Sequence, residues 1–370
     1  MRRSTLATVL LAVFISYLAT PAAVKTGGYK PTDLVVNKSP LIDKNGISHT
    51  GTVDPNLLNP WGVTETSTGS PFWILDNAAG VATLYNVPAN APNSVTINPR
   101  VVSIPTPVDL LGRSGAPTGT VFNITTLPGS TPGFIISGVD KNKNPMSAPA
   151  LFIFATEDGT IVGWNPGVNP EGFDPAKAGN YGIIARNNSD NNFDPNSTPK
   201  TGAVYKGIAI ATDAEGQTRL YVTNFRSGKV EMYNVNWQTL TPPPAFVDPK
   251  LPGSYAPFNI VPIKGELFVT FAVQNAEKHD DVAGQSHGIV DVFDLDGTFR
   301  QRFAQHDQLN SPWGVALAPP GFGEGGALWI GNFGNGHINA WACNGFTTAC
   351  VSYSSLINPC TAIGFASAQR

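Results

Sequence analysis

A short sequence that occurs near both ends of the chain constrains the fold more than any other feature. LNPWGV at residues 58–63 returns as LNSPWGV at 309–315, and each copy leads into an apolar run, a polar stop, a Gly-rich turn and a second apolar run. The same order begins again near residues 121, 207 and 258. Each unit therefore predicts three strands joined by tight turns, because β runs separated by Gly or Asp-Gly turns are the sequence signal of hairpins.

The spacing of these units indicates the architecture. They start roughly 50–85 residues apart, which leaves room for a fourth strand in NSVTINP, YGIIA and FRQRFA. Repeats of about 50 residues with four short strands are typical of β-propeller blades. No stretch has helical periodicity long enough for an α/β fold. We therefore predict an all-β chain folded as a β-propeller, with a β-sandwich or two β domains as the alternatives.

The composition fits a folded domain and excludes one class of partner. Hydrophobic residues make up 41% of the 370 residues, which is enough to bury a large core. The 38 Gly and 32 Pro are spread through β-branched and aromatic runs, as expected for many short strands. The formal net charge of −3 excludes the basic footprint of a nucleic-acid-binding protein.

The N-terminus predicts a targeting segment. Arg2 and Arg3 precede an apolar run from Leu6 to Ala19, and small residues follow. The run is shorter than the roughly 18–20 residues that span a bilayer. Residues 1–23 are therefore predicted to be a secretory signal peptide, with a retained membrane anchor as the alternative. The prediction that follows is a secreted, extracellular protein that is monomeric and free of the membrane after cleavage.

The last part of the chain differs from the rest. Cys343, Cys350 and Cys360 are the only cysteines, and their spacing matches no zinc motif. This segment also lacks the strand order of the repeats. We therefore predict a β-propeller over residues 24–342 and a divergent, Cys-containing tail over 343–370.

The propeller fold leads to two further predictions about the ends of the chain. Trp61 and Trp313, which belong to the two copies of the opening motif, should occupy matching places beside the start of an inner strand. The apolar run in residues 32–41 should close the ring by pairing with strands from the far end of the chain, because open sheet edges invite aggregation.

Longer motifs carry a family resemblance. They fall in order along the chain: DPNLLNPWG at 54–62, FWILDN at 72–77, HGIVDVFD at 287–294, LNSPWGVALAPPGFG at 309–323 and GNFGNGHINA at 331–340. Through them the chain resembles an uncharacterised family of secreted bacterial and plant propeller proteins, and its VFD-x-DG hairpin followed by PWGVA resembles an NHL-type repeat. The resemblance implies six blades and no assigned biochemical activity. It ends at Ala340, so the terminal blade is expected to be incomplete or atypical.

Polar residues end the second strand of several repeat units, and they form the candidate site: Asp76, Asn77, Glu157, Asn224 and Asn332. Equivalent positions recur around the axis of a propeller, so these side chains are expected at one mouth of the central channel. Their oxygens make Ca²⁺ the candidate cofactor, since it takes six to eight oxygen ligands. The alternative is that such residues end strands by accepting backbone hydrogen bonds in turns.

Catalytic motifs are weak in this chain. GQSHG at 284–288 matches the nucleophile-elbow pattern, but it precedes a strand and not a helix, so it is interpreted as a hairpin loop. His279 with Asp280 and Asp281 is a second candidate metal group, for which a solvated loop is the favoured interpretation.

Two classes of function are left open. The first is a secreted binding or scaffold module for a carbohydrate, protein or small-molecule ligand. The second, by analogy of fold alone, is a gluconolactonase-like hydrolase that uses a divalent metal in the channel to open lactones or esters. The sequence favours the first class because no positioned base or nucleophile is visible, and it does not by itself identify an enzyme.

Overall fold

The computed structural model describes residues 32–43, 46–107, 114–168, 181–240, 246–319, 326–342 and 351–352. The predicted signal peptide, and the predicted tail apart from residues 351–352, lie outside the described residues. Within the described part, no helix is long and apolar enough to cross a membrane.

Four two-residue strands precede the first large sheet: β1 (Val35–Val36), β2 (Leu41–Ile42), β3 (Ser48–His49) and β4 (Thr52–Val53). Strand β1 pairs in parallel with β4, and β2 pairs antiparallel with β3. The described residues therefore do not show the predicted pairing of this segment with the far end of the chain, of which residues 343–350 and 353–370 lie outside the described residues. The hairpin β2–β3 returns the chain beside β1, and such a local closure costs less loop entropy than a partner from the far end.

Five larger sheets follow in chain order, and we call them blades 1 to 5. Blade 1 contains β5 (Pro60–Thr64), β6 (Phe72–Asp76) and β7 (Val81–Asn86), with a split fourth strand, β8 (Thr96–Ile97) and β9 (Val102–Ser103). All pairings within the blade are antiparallel.

Blade 2 carries an inserted hairpin. In chain order its elements are β10 (Pro117–Phe122), a 3₁₀ turn (Ile124–Thr126), β11 (Ile135–Val139), β12 (Pro145–Pro149), β13 (Phe152–Thr156), β14 (Thr160–Trp164) and β15 (Ile183–Asn187). The sheet order is β10-β13-β14-β15, and β11 pairs only with β12.

Blades 3 to 5 repeat the antiparallel order. Their strands are β16 (Tyr205–Thr212), β17 (Thr218–Asn224), β18 (Lys229–Asn234), β19 (Tyr255–Ile263), β20 (Glu266–Val273), β21 (Ile289–Phe293), β22 (Phe299–Gln305), β23 (Pro312–Leu317), β24 (Leu328–Asn332), β25 (Ile338–Ala342) and β26 (Val351–Ser352). Blade 3 is β16–β18, blade 4 is β19–β22 and blade 5 is β23–β26. A bridge from Tyr233 to Thr239 stands at the place of a fourth strand in blade 3. The strands predicted in all five repeat units are confirmed.

The first two strands of every blade share one register. Pro60 pairs with Asp76 and Pro312 with Asn332, and a bulge follows in both blades. Trp61 and Trp313 therefore occupy the same position, as predicted. The corresponding bulge in the other three blades defines a set of five equivalent residues, which we call the ring residues: Trp61, Thr118, Lys206, Phe258 and Trp313.

Small residues after the ring residues let the inner strands approach one another. A Cβ added to Gly62 would lie 2.7 Å from the carbonyl oxygen of Thr118, and one added to Gly119 would lie 2.8 Å from the amide nitrogen of Ile208. These contacts join blade 1 to blade 2 and blade 2 to blade 3. The inner strands therefore stand side by side around an axis.

The core lies between successive blades. Trp73 and Leu75 of blade 1 pack with Phe152 and Phe154 of blade 2, and similar clusters join blades 2 and 3, 3 and 4, and 4 and 5. Sheets that pack face to face in chain order around an axis form a β-propeller. Five blades lie within the described residues, and the predicted sixth blade is not among them.

Candidate functional site

Aromatic side chains close one end of the channel. Ring residues Trp61, Phe258 and Trp313 meet Phe225 and Phe333, which follow the second strands of blades 3 and 5. The ring of Trp61 lies 5.6 Å from that of Trp313, 6.1 Å from that of Phe258 and 4.6 Å from that of Phe333, between centroids. We call these five residues the aromatic plug.

A lysine takes the ring position of blade 3, inside this plug. Lys206 is 1% exposed, and its Nζ forms an ion pair with Glu157 and lies 3.4 Å from Oδ1 of Asp280. The ammonium also lies 5.4 Å above the ring centroid of Trp61 and 5.9 Å from that of Phe225. Carboxylates and aromatic faces together compensate the buried charge, because both attract a cation.

Glu157 is the carboxylate most tightly bound to this lysine. Its Oε2 accepts a hydrogen bond of 3.0 Å from Nδ2 of Asn77, which in turn accepts one of 3.2 Å from Asn59 through Oδ1. Burial by itself raises the pKa of Glu157, but the charges of Lys206 and His279 and the hydrogen bonds from Lys206 and Asn77 outweigh it and hold the pKa below its usual value. Glu157 is therefore an anion that holds Lys206 and Asn77 in place. These residues lie at the end of the channel closed by the aromatic plug, which we call the narrow end.

The loop between β20 and β21 covers this ion pair from outside. His279 Nδ1 lies 3.0 Å from Oδ1 of Asp280. The hydrogen bond with His279, followed by the charge of Lys206, holds the pKa of Asp280 well below its usual value, against the opposing effect of burial. Ligand atoms of Glu157, His279 and Asp280 lie within 4.8 Å of one another.

These three residues do not fit a calcium site. Ca²⁺ takes six to eight oxygen ligands, whereas this group offers two carboxylates and an imidazole. The ammonium of Lys206 already binds both carboxylates. The arrangement thus holds a cation that belongs to the chain.

The structure brings together two of the five residues predicted at the channel mouth. Asn77 and Glu157 are in contact through the hydrogen bond described above. Asp76 points away from them: it is fully buried, and its Oδ2 accepts a hydrogen bond of 2.7 Å from Thr83. Burial, with a smaller contribution from the charge of Asp54, raises the pKa of Asp76 to about 8.

The other two predicted residues order turns. Asn224 accepts hydrogen bonds from the backbone of Val204 and Ser227 through Oδ1. Asn332 accepts one from the backbone of Asn310 and donates one of 2.7 Å to the carbonyl oxygen of Gln308. Asn224 has the turn role that the sequence left open as the alternative, since Ser227 lies in the turn that follows it, whereas both partners of Asn332 lie in the loop before β23.

Sequence reasoning missed Lys206, although a signal was present. Blades 1, 2, 4 and 5 have Trp, Thr, Phe and Trp at this position, in that order. In blade 3 the sequence YKG stands where blades 1 and 5 have PWG. A charged residue in the buried position of a repeat indicates a buried partner of opposite charge, because an unpaired one would be strongly destabilising.

The other end of the channel, which we call the wide end, is an apolar cavity of about 490 Å³. Trp61 and Trp313 form its floor, and the inner strands of all five blades line it, with Val63, Val121, Ile208 and Val315 among the side chains. Its polar side chains other than indoles are Thr64, Thr120 and Asn259, and no ionisable side chain of the described residues lines it. The cavity is therefore suited to bind a neutral ligand.

Comparisons with known proteins give no family and no activity for this chain. No protein-family model matches the chain, so the NHL-type resemblance stays a prediction. Two uncharacterised proteins of Acanthamoeba polyphaga mimivirus are 30% identical over 310 residues and 28% identical over 304 residues, covering 81% and 79% of this chain. The chain spans 65% and 68% of the length of those relatives.

Solved structures resemble it only loosely. A protein from Lactobacillus plantarum has a TM-score of 0.42 at 11% identity, covering 84% of this chain and 73% of its own. A periplasmic gluconolactonase from Pseudomonas aeruginosa has a TM-score of 0.38 at 12% identity, covering 80% and 69%. The propeller assignment rests on the five blades themselves.

Proposed function

We propose that this protein is a binding module that holds a neutral, largely apolar ligand in the wide end of its channel. The observation that carries the proposal is the lining of the cavity, which is apolar apart from Thr64, Thr120, Asn259 and the indoles. Burying apolar ligand surface there is favourable at roughly 25 cal/mol per Å².

The lining also indicates which of the ligand classes left open by the sequence suits the cavity best. A carbohydrate presents many hydroxyl groups, and each one buried without a partner costs about 1–3 kcal/mol. Two threonines and one asparagine supply too few partners for a sugar. An apolar small molecule or an apolar segment of a protein therefore suits the cavity better than a carbohydrate.

The second candidate function is a gluconolactonase-like hydrolase that uses a divalent metal. The grouping of Glu157, His279 and Asp280 favours it, and the ammonium of Lys206 opposes it. Metal titration by calorimetry, combined with a screen of lactones and esters, separates the two functions. Tight metal binding together with turnover would replace the binding-module proposal.

We further propose that the module is secreted as a monomer after loss of residues 1–23, and that its architecture is six-bladed. The apolar run after Arg2 and Arg3 supports secretion, and the family resemblance supports six blades. N-terminal sequencing of the exported protein tests the first of these, because a product that retains Arg2 contradicts it.

Binding in the cavity can be tested with an apolar fluorescent probe such as N-phenyl-1-naphthylamine. Val63 lines the cavity and is 58% exposed, so Val63→Asp places a charge there without disturbing the core. We expect probe affinity to fall by about tenfold or more, because the probe would have to desolvate a carboxylate. Val53→Asp is the matched control, since Val53 is 47% exposed and lies on β4, away from the cavity lining. Equal affinity in both variants would contradict the proposal.

A further inference from the structure

One polar side chain, that of Asn259, stands where the other four blades have glycine. The residue that follows the ring residue is Asn259 in blade 4, whereas in the other blades it is Gly62, Gly119, Gly207 or Gly314. Asn259 is 6% exposed and lines the wide end of the channel. Four blades form without a side chain at this position, so the amide of Asn259 is not a general requirement of a blade.

The orientation of the Asn259 amide follows from its partner in blade 5. Its Nδ2 lies 2.8 Å from the carbonyl oxygen of Trp313. A carbonyl oxygen can only accept a hydrogen bond, so the atom that faces it is the amide nitrogen and not Oδ1. The backbone N–H of Asn259 donates a hydrogen bond of 2.9 Å to Oγ1 of Thr270. The backbone and the side chain of this residue are therefore both held in place before a ligand enters.

This arrangement leaves Oδ1 of Asn259 as an acceptor without a donor. Within the part of the chain that the structure describes, no N–H or O–H group donates to it. Its neighbour on blade 3 is Gly207, where an added Cβ would lie 2.3 Å from Oδ1. Gly207 thus gives the oxygen room and brings no side-chain donor. Because a buried acceptor without a partner is unfavourable, the site favours a ligand that supplies a donor.

The other polar side chains of the cavity do not make this selection. The hydroxyl groups of Thr64 and Thr120 can donate or accept, so they can pair with a ligand oxygen whether or not that oxygen carries a proton. Indole N–H groups can only donate, and an amide oxygen can only accept. Oδ1 of Asn259 is therefore the side-chain atom that can distinguish a hydroxyl group from an ether or a carbonyl group.

We propose that the ligand of the wide end is an apolar alcohol, whose hydroxyl group donates a hydrogen bond to Oδ1 of Asn259. This inference rests on the proposed function and names the ligand class for it. A protonated amine also carries donors, but no ionisable side chain of the described residues lines the cavity to balance its charge. A peptide carries an N–H and a C=O group at nearly every residue, and most of them would be buried here without partners. A single hydroxyl group on an apolar body matches one acceptor in an apolar lining.

Displacement of N-phenyl-1-naphthylamine by two isomers tests the proposal on the full chain. The alcohol 1-decanol and the ether 1-methoxynonane contain the same atoms, but only the alcohol can donate a hydrogen bond. The measured quantity is the ratio of the dissociation constant of the ether to that of the alcohol. We expect this ratio to be about tenfold lower in Asn259→Leu than in the wild type, because leucine has nearly the shape of asparagine and no acceptor.

Two further variants make the test decisive. Asn259→Gly installs the residue that the other four blades have, so it remains informative if Asn259→Leu fails to fold, and it should lower the ratio in the same way. Thr64→Val is the matched control, because it removes from the cavity lining a hydroxyl group that can pair with either isomer. Any loss of affinity in this control should be equal for both isomers, and the ratio should stay that of the wild type.

The outcomes separate this inference from the proposed function. If neither isomer displaces the probe from the wild type, the proposed function fails and the alcohol proposal fails with it. If both isomers displace the probe but the ratio is the same in the wild type and in the Asn259 variants, the cavity binds apolar ligands and only the alcohol proposal is overturned. A fall of the ratio in Thr64→Val as large as in the Asn259 variants would also overturn it, because asparagine would then not be the selecting residue.

Discussion

Trp61 and Trp313 meet edge to face at the axis, with ring centroids 5.6 Å apart and ring planes at 86°. They hold the same position in the first and last described blades. Trp313 also donates a hydrogen bond of 2.9 Å from Nε1 to the carbonyl oxygen of Lys206. The two copies of the opening motif therefore join blades 1, 3 and 5 at one point.

Truncation of either tryptophan should be costly. We expect Trp61→Ala and Trp313→Ala each to lower the free energy of unfolding by about 3–5 kcal/mol, because the plug cannot collapse around the cavity left behind. Urea unfolding measures the effect. Trp61→Phe keeps an aromatic ring and should cost clearly less; an equal cost for Phe and Ala would contradict the role of ring packing.

Loss of the buried lysine should destabilise more than its packing alone explains. Lys206→Met leaves Glu157 buried without its cation, and we expect a loss of about 3–5 kcal/mol. The double variant Lys206→Met, Glu157→Gln should recover a large part of that loss because it removes the stranded charge. Lys229→Met, on the exposed edge of blade 3, is the control and should change stability little. A double variant no more stable than Lys206→Met would contradict the ion pair.

A methyl group between inner strands should also be poorly tolerated. In Gly119→Ala the new Cβ would lie 2.8 Å from the backbone nitrogen of Ile208, so the two inner strands must move apart. We expect a loss of about 1–3 kcal/mol, as for other overpacked cores. Gly253→Ala meets nothing within 4 Å and is the matched control in thermal unfolding. Equal melting temperatures for the two variants would show that the strands are not in close contact.

Asp76 should give the stability of the protein a pH dependence. Its pKa is raised by burial from 3.8 to about 8, so between these values the folded protein holds a proton that the unfolded chain releases. The stabilisation from this group is complete below pH 3.8 and is lost as the pH rises through about 8. Asp76→Asn cannot titrate, so the melting temperature of the wild type should fall relative to this variant between pH 5 and pH 9. Parallel curves would contradict the raised pKa.

The hairpins and the blade order could be predicted because their signals are local. Asp158-Gly159 and Asp296-Gly297 each place a glycine at positive φ between two strands, which is the conformation that glycine adopts without strain. The repeated motif also predicted that Trp61 and Trp313 occupy equivalent positions in their blades. The closure of the ring is not local, and in the described part of the chain residues 32–41 pair with residues 48–53, while most of the far end of the chain lies outside the described residues.

The site was harder to predict because it joins distant parts of the chain. Asp76 and Asn77 are neighbours in sequence, yet Asn77 contacts Glu157 while Asp76 contacts Thr83. Side chains alternate between the two faces of a strand, so a run of polar residues does not converge on one point. Lys206 finds its partners in blade 2 and in the loop after β20, and no sequence spacing links them.

The positive charge at the narrow end of the channel is part of the polypeptide. A protein that organises such a mouth around a bound ion loses its shape when chelators such as citrate or oxalate compete for that ion. Lys206 cannot be extracted from its two carboxylates in this way. The floor of the cavity should therefore keep its form in surroundings poor in free divalent cations.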